Sequence, residues 1–417
     1  MRKIFLTTFL FLILFFTILT IYFSTIGIKT SKFNQLINDK LTTVEPRLNA
    51  ELEEVILILD LPKREIKLET DNTNLYLDNN LIKLSKINIR VDLFSLLKRK
   101  NRVKNIEIIT KENSVRNILN FLKSYRTNLS LILLANSIQQ GSIKTKLKAN
   151  FDEKNGYYPS YLASGEVTDV QLNLLNNKKI KNINFNFDIT DEEYEFENIS
   201  FEYKKLKINS EKLKVIKKNQ NYFVKGNLKN KKNSIDPRLL FDLSKFDLDL
   251  FSNEKVTIET DNEFSFEVNK KLKIKDLQII SKLKFDKLFF NKKYQNLIYF
   301  ENGTVKTNFS KNNLSIDIFS KYSFIKDKDN SKINTKDKDD IKLHIVKKKD
   351  EDYVVQGAFK NRKKLIDPKT LFDFFKVKID ILSDKEIKIE TDNNFVFNIN
   401  KKLKIKDLQI ISKLKFD

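Results

Sequence analysis

The side chains best placed to do chemistry are three copies of one quartet, Glu-Thr-Asp-Asn, at Glu69–Asn72, Glu259–Asn262 and Glu390–Asn393. On an extended chain, Glu and Asp two residues apart project to one face, the spacing of a paired general acid and base or of two metal-binding carboxylates. Each quartet closes a strand-like run (IKLETDN, VTIETDN, IKIETDN), and Asp-Asn at a strand end is ordinary turn chemistry. Because the quartet recurs with a larger repeat, it is assigned to the architecture, as a turn. The chain has no cysteine and one histidine, His344 in IKLHIVKKK. A disulfide framework and a thiolate metal site are thereby excluded, and a histidine zinc site or a Ser-His-Asp triad has too few partners. His344 is read as a structural strand residue. Asn128-Leu-Ser, Asn302-Gly-Thr and Asn308-Phe-Ser match the glycosylation pattern, which arises by chance in so Asn-rich a chain. GxSxG, HExxH and P-loop sequences are absent, so no enzyme, cofactor or metal is expected.

The formal charge of +23 invites a nucleic-acid reading. The lysines argue against it, because they alternate with apolar residues along strand after strand and never gather into one basic segment with interleaved aromatics. They read as a solvated outer face, with attraction to anionic lipid headgroups as the next account. Nucleic acid is not an expected partner.

The elements that carry these residues begin with MRKIFLTTFLFLILFFTILTIYFSTIGIK. Ile4 to Ile28 is an uncharged run of 25 residues, enough to cross a hydrocarbon core of about 30 Å as a helix. It exceeds the about 7–15 apolar residues of a cleaved signal peptide, and Ser24–Gly27 makes a poor cleavage site. Residues 4–28 are therefore expected to be a signal-anchor helix with residues 1–3 cytoplasmic. Arg2 and Lys3 favour that orientation, although Lys29 and Lys32 blur the asymmetry. Ser31–Leu41 has helical spacing with Ser31 as a possible N-cap, and Asn113–Tyr125 places Val115, Ile118, Leu119 and Leu122 on one stripe. IDPRLLFDL at Ile235–Leu243 offers Asp236 as N-cap and Pro237 in the first turn. Almost everything else alternates with period two, as expected of sheets with one apolar and one wetted face.

The alternating part repeats. KKLKIKDLQIISKLKFD stands at Lys270–Asp286 and again, unchanged, at Lys401–Asp417. The same shift of 131 aligns YFVKGNLKN with YVVQGAFKN, IDPRLLFD with IDPKTLFD and VTIETDNEFSF with IKIETDNNFVF. A fainter copy, shifted by 190, lays IKLSKINIRVDL (Ile82–Leu93) on LKIKDLQIISKL (Leu272–Leu283). There Ile82, Leu84, Ile87 and Ile89 fall on Leu272, Ile274, Leu277 and Ile279. In both, the alternation slips by one residue, at Lys86–Ile87 and at Asp276–Leu277. A slip without compensation would send the apolar set to the wrong face, so a bulge or open bend is expected there. The fold class is mainly β: an elongated, curved antiparallel sheet forming a repeating, solenoid-like β-groove, with a few short helices and one N-terminal transmembrane helix. The boundaries expected are a membrane-proximal module at 29–140, a first β-repeat region at 141–286 and a second at 287–417. The second breaks off at Asp417 without the KLFFNKKYQNLIYF that follows Asp286, and is expected to be truncated.

This layout resembles the AsmA-like family, which includes proteins of the TamB and YhdP type. The likeness rests on the anchor helix, the FNQLINDKL helix, the LPKREIKLETDN…LIKLSKINIRVDLFSLLKRKNRVKNIEII segment and YLASGEVTDVQLNL at Tyr161–Leu174. The resemblance implies a single-pass inner-membrane protein with its bulk in the periplasm. It also implies a β-groove that serves phospholipid movement or outer-membrane homeostasis, with no catalytic residues to carry over. A long apolar sheet face needs a cover: a second sheet, helices or an apolar ligand. The expected acyl-chain lining is Ile82, Leu84, Ile87 and Ile89, then Leu272, Ile274, Leu277, Ile279, Leu283 and Phe285. In the last copy it is Leu403, Ile405, Leu408 and Ile410. The expected partners are phospholipid acyl chains, the inner membrane through 4–28, and components of the outer membrane. The rival readings are a self-covered sandwich, a scaffold that assembles outer-membrane proteins through exposed sheet edges, and a basic adaptor at an anionic membrane surface.

Overall fold

The structure, a computed structural model, describes residues 2–97, 103–126, 128–151, 160–173, 178–219, 221–237, 254–269, 271, 273–289, 298–324, 339–366, 387–400 and 404–416. Among them the chain is mainly β with a few helices, and it divides into two compact units, residues 1–204 with 214–216 and residues 205–213 with 217–417.

Unit 1 opens with helix α1 (Arg2–Thr25), 24 residues long and so about 36 Å at the usual helical rise. Gly27, at φ +73°, donates its N–H to the Tyr22 carbonyl and turns the chain into strand β1 (Ile28–Thr30). A Cβ at Gly27 would stand 2.6 Å from the Leu57 carbonyl oxygen, so both the backbone angle and the space call for glycine. Among the residues with described side chains, no helix is long and apolar enough to cross a membrane. The side chains of residues 1–8 lie outside that set.

Helix α2 (Lys32–Val44) follows, without a side-chain cap from Ser31. Instead Asn38 pins it sideways: its amide donates to the Ala50 carbonyl and accepts from the Ala50 N–H, both at 2.9 Å, extending the ladder of strand β2 (Leu48–Glu51). Strands β3 (Val55–Asp60), β4 (Glu65–Asp71), β5 (Asn74–Leu77) and β6 (Asn80–Asp92) come next. Helix α3 (Leu93–Leu97), strands β7 (Val103–Thr110) and β8 (Asn113–Ser114), and helices α4 (Val115–Tyr125) and α5 (Leu129–Ser137) continue the chain. Strands β9 (Ile138–Asn150), β10 (Ser160–Asn173), β11 (Lys179–Thr190) and β12 (Glu193–Tyr203) complete the unit. The antiparallel order is β1–β3–β4–β6–β7–β9–β10–β11–β12, with β5 on the first half of β6 and β2 on β5. Val115 and Leu119 of α4 and Ala135 of α5 bury themselves against Ile138, Val167, Val170 and Phe187. Leu122, on the stripe expected to be buried, is exposed. Helix α5 has no counterpart in the sequence reading, because LSLILLANS is apolar almost all round and carries no period. Asn128, noted only as part of a glycosylation triplet, is its N-cap and accepts the Leu131 N–H at 2.8 Å.

Unit 2 holds most of β13 (Leu206–Lys218), then β14 (Asn221–Ile235), β15 (Val256–Val268), β16 (Ile274–Phe289) and β17 (Ile298–Phe309). Then come β18 (Asn313–Phe324), β19 (Asp339–Lys348), β20 (Tyr353–Ile366), β21 (Ile387–Ile399) and β22 (Ile405–Phe416). From β14 to β22 each strand pairs antiparallel with the next. No helix occurs among its described residues. The IDPRLLFDL and IDPKTLFD helix signals lie outside them beyond Pro237 and Ile366.

The repeat holds at the level of register. Val224↔Phe266 and Ser265↔Gln278 in β14–β16 become Val355↔Phe397 and Val396↔Gln409 in β20–β22, each residue displaced by 131. The bulge expected at Asp276–Leu277 is there. Ser265 faces Gln278 but Glu267 faces Lys275, and Asp276 has φ +49°; Asp407 repeats this at φ +53°. The extra residue keeps the face, since Phe264 meets Ile279 before it and Val268 meets Ile274 after it.

Two expectations are corrected. The Glu-Thr-Asp-Asn quartet ends a strand only in its first copy, where Asn72 has φ +49°. At Glu259–Asn262 and Glu390–Asn393 it lies inside β15 and β21, and the strands run straight through it. The faint copy also differs. β4 and β5 both pair with β6 in one register around a two-residue turn at Asp78–Asn79, pairing Leu68 with Ile89. Their counterparts under the 190 shift, Ile258 and Ile279, pair instead with Phe285 and Phe264, because the β15–β16 ladder runs on as far as Val268↔Ile274. The slip near Lys86 appears one residue earlier, as a register shift between Leu84 and Lys86 against β7.

Candidate functional site, the apolar face of the second unit

Partners across an antiparallel pair share a face, so the register alone builds the surface of unit 2. One rung runs from Leu283 in β16 through Val305, Ile318 and Leu343 to Gly357, Phe395 and Ile410 in β22. A parallel rung carries Ile316, Ile345, Val355 and Phe397 across β18–β21. Toward β14, Phe264, Ile279 and Phe309 extend the same face. Most of these side chains are half-buried, and no helix or second strand layer among the described residues covers them.

The face has two recurring details. First, glycines sit opposite phenylalanines: Gly226↔Phe264, Phe285↔Gly303 and Gly357↔Phe395. A Cβ at Gly303 or Gly357 would overlap the Phe285 or Phe395 ring, so each ring lies down over the bare backbone of its neighbour. Gly165 and Phe187 do the same in unit 1. Second, the asparagine of each mid-strand quartet forms a polar rung within the apolar field. Asn262 donates to the Leu228 carbonyl at 3.0 Å and accepts from Ser281 Oγ; Asn393 donates to the Phe359 carbonyl at 3.4 Å. The quartets' acidic members point the other way. Glu259 meets Lys284 at 3.7 Å and Asp392 meets Lys360 at 2.9 Å, ion pairs across strands on the wetted face.

That wetted face also holds His344, paired with Asp317 across β18–β19, with Nδ1 2.6 Å from Oδ1. The pair lies in a shallow depression of about 400 Å³ with Lys306, Lys342 and Gln356. Among the described residues no cluster of three His, Cys, Asp or Glu side chains is placed to hold a metal ion. Carboxylates elsewhere serve the fold. Burial pushes the Glu69 carboxyl up, but hydrogen bonds from Lys67 and Lys86 outweigh it and hold it below the ordinary range. Asp286 is likewise raised by burial and lowered further by bonds from Thr257 and the Lys287 N–H.

The expected lining residues divide three ways. Leu277, Ile279, Leu283 and Phe285 are half-buried on the apolar face of unit 2, and Ile405, Leu408 and Ile410 are exposed along β22. Ile274 is exposed as well. Ile82 and Leu84 are buried in unit 1, with Ile87 and Ile89 half-buried, so that copy contributes to a packed interior. Leu272 and Leu403 lie outside the described residues. Sequence reading did not single out Ile318 of β18 and Leu343 of β19, which with Val355 complete the face, because the aligned stretches of the 131 repeat include β20 but neither of those strands. Their own alternation (NLSIDIF, IKLHIV) was the available signal. Comparisons with known protein families, curated proteins and solved structures return no match to this chain.

Proposed function

We propose that the protein is a membrane-anchored lipid-handling protein whose second unit holds phospholipid acyl chains against its apolar sheet face. The observation that carries this reading is the unbroken rung from Leu283 to Ile410, apolar apart from Gly357, with a charged face behind it and no described layer in front. A face of that extent in water demands a cover, and acyl chains supply one without side-chain specificity. Headgroups would remain at the wetted rim, where lysines are abundant. Helix α1 supports the anchor: its apolar residues, from Phe9 to Phe16, are exposed to the surroundings, and its length suits a bilayer. On this reading the bulk of the chain lies on one side of the inner membrane, in the periplasm, and serves lipid movement or envelope homeostasis.

The test is lipid extraction and mass spectrometry of the full chain purified in mild detergent. Wild type should carry phospholipid, whereas Ile318→Lys and Leu343→Lys should lose most of it with the β circular-dichroism signal unchanged. Loss of the β signal in both variants would mean that these residues form a closed core. The alternative reading of the sequence, a scaffold that pairs with strands of outer-membrane proteins, predicts unfolded porin and no lipid in the same preparation.

A further inference from the structure

Helix α5, LSLILLANS, is apolar almost all round, yet only one of its sides is buried. Ala135 and, in part, Leu131 pack into the core shared with α4 and the sheet. The outward side keeps Leu129, Leu133 and Leu134 at 71%, 57% and 44% exposure. The last turn of α4 adds Leu122 and Tyr125, both exposed, so the apolar surface continues across the joint between the two helices. A helix that is apolar all round ordinarily has an apolar cover all round. On this side α5 has none among the described residues.

Charge says which cover fits. From Val115 to Ser137 the chain carries three basic residues, Arg116, Lys123 and Arg126, and no acidic one. Arg116 and Arg126 are exposed, and neither meets a carboxylate among the described residues. Exposed leucines beside unpaired cations are the composition of an interfacial helix. Its apolar side enters the boundary between headgroups and acyl chains, and its cations meet anionic headgroups. Tyr125 suits the same boundary, where one end of a side chain is apolar and the other wet. Helix α1 belongs to the same compact unit, so unit 1 is the one that an anchor would hold at a bilayer.

We infer that the α4–α5 pair is a second membrane contact, which docks on an anionic bilayer surface with Leu129, Leu133 and Leu134 inserted and Arg116 and Arg126 at the headgroup phosphates. The inference rests on the anchoring half of the proposed function and not on lipid held by unit 2. Anchoring through α1 makes the docking intramolecular, so a small patch engages without high affinity of its own. Two contacts then hold unit 1 in one orientation, where α1 alone leaves it free to turn about the helix axis.

The chain has no cysteine, so each label can be placed alone. The full chain is reconstituted in phosphatidylcholine vesicles with or without phosphatidylglycerol. It carries an environment-sensitive fluorophore on Leu133→Cys, on Phe11→Cys in α1 or on Asp188→Cys. Asp188 is exposed and follows Phe187, which is buried against the helices, so it stands on the other face of the sheet. Lipids spin-labelled on their acyl chains should quench the label at 11 in both kinds of vesicle and the label at 188 in neither. The label at 133 should be quenched strongly in the anionic vesicles and weakly in phosphatidylcholine alone. Arg116→Gln and Arg126→Gln should each lower the docked-to-undocked ratio in anionic vesicles about five-fold. Quenching at 11 but not at 133 would overturn the inference and leave the anchor standing, whereas quenching at neither would remove the anchor as well. Equal quenching at 133 in both kinds of vesicle would also overturn it, because the arginines would then contribute nothing. So would a label at 133 that shifts with protein concentration in detergent, since a second copy of the chain would then be the cover.

Discussion

Glycine 357 and phenylalanine 395 show how little latitude single residues have on the apolar face. The ring fills the space a side chain at 357 would need, so Gly357→Val should cost about 1–3 kcal/mol through overpacking, read as a lower urea midpoint. Glu69 tests the electrostatics. Its folded pKa lies below the ordinary 4.5, held there by Lys67 and Lys86 against the cost of burial. A depressed carboxylate contributes stability above its unfolded pKa and loses it as pH falls through the folded value. Wild type should therefore weaken on acidification below pH 4.5, and Glu69→Gln should be less stable at neutral pH with a flatter acid limb. Denaturant titrations at stepped pH check both. The paired Glu and Asp of the quartet were legible as residues sharing a face. Their role as strand-to-strand ion pairs was not, because the sequence alone does not place Lys284 or Lys360 beside them.

At the scale of elements, period-two alternation revealed most strands and the 131 repeat, and the phase slip revealed the bulge at Asp276. The means of bulging was less visible. Asp169, Asn182, Asn198, Asp276, Asn302 and Asp407 all have positive φ, and each stands at a register shift in its strand. Asn and Asp tolerate the left-handed region better than other side chains, so a chain with few glycines bends its strands with them. The abundance of Asn, which in the sequence accounted only for chance glycosylation triplets, has a structural use here. Asp276→Val should accordingly destabilise by about 1–3 kcal/mol, while Asp276→Gly should be nearly neutral in thermal melts. The exposed Lys311–Asp276 pair, at 3.4 Å, adds little to that balance. Helix α5 escaped notice for the opposite reason: its apolar run lacks the periodicity by which a helix is recognised.

For the whole molecule, the two units use the same alternating strands differently. In unit 1, α4 and α5 cover part of the sheet and seal Val167, Val170 and Phe187 into a core. In unit 2 Leu206, Ile235, Val256 and Ile258 also pack into a buried cluster, with Phe285 against it, but around Ile318 and Leu343 the apolar field has no cover among the described residues, and the lipid-handling proposal rests on that stretch. The most direct test places a photo-crosslinking amino acid at Ile318 or Leu343 on the apolar face and, as controls, at Asp317 or Lys342 on the wetted face of the same strands. After irradiation of the full chain in native membranes, mass spectrometry should find phospholipid adducts at 318 and 343 and not at 317 or 342. Adducts on neither face, or equally on both, would contradict the account.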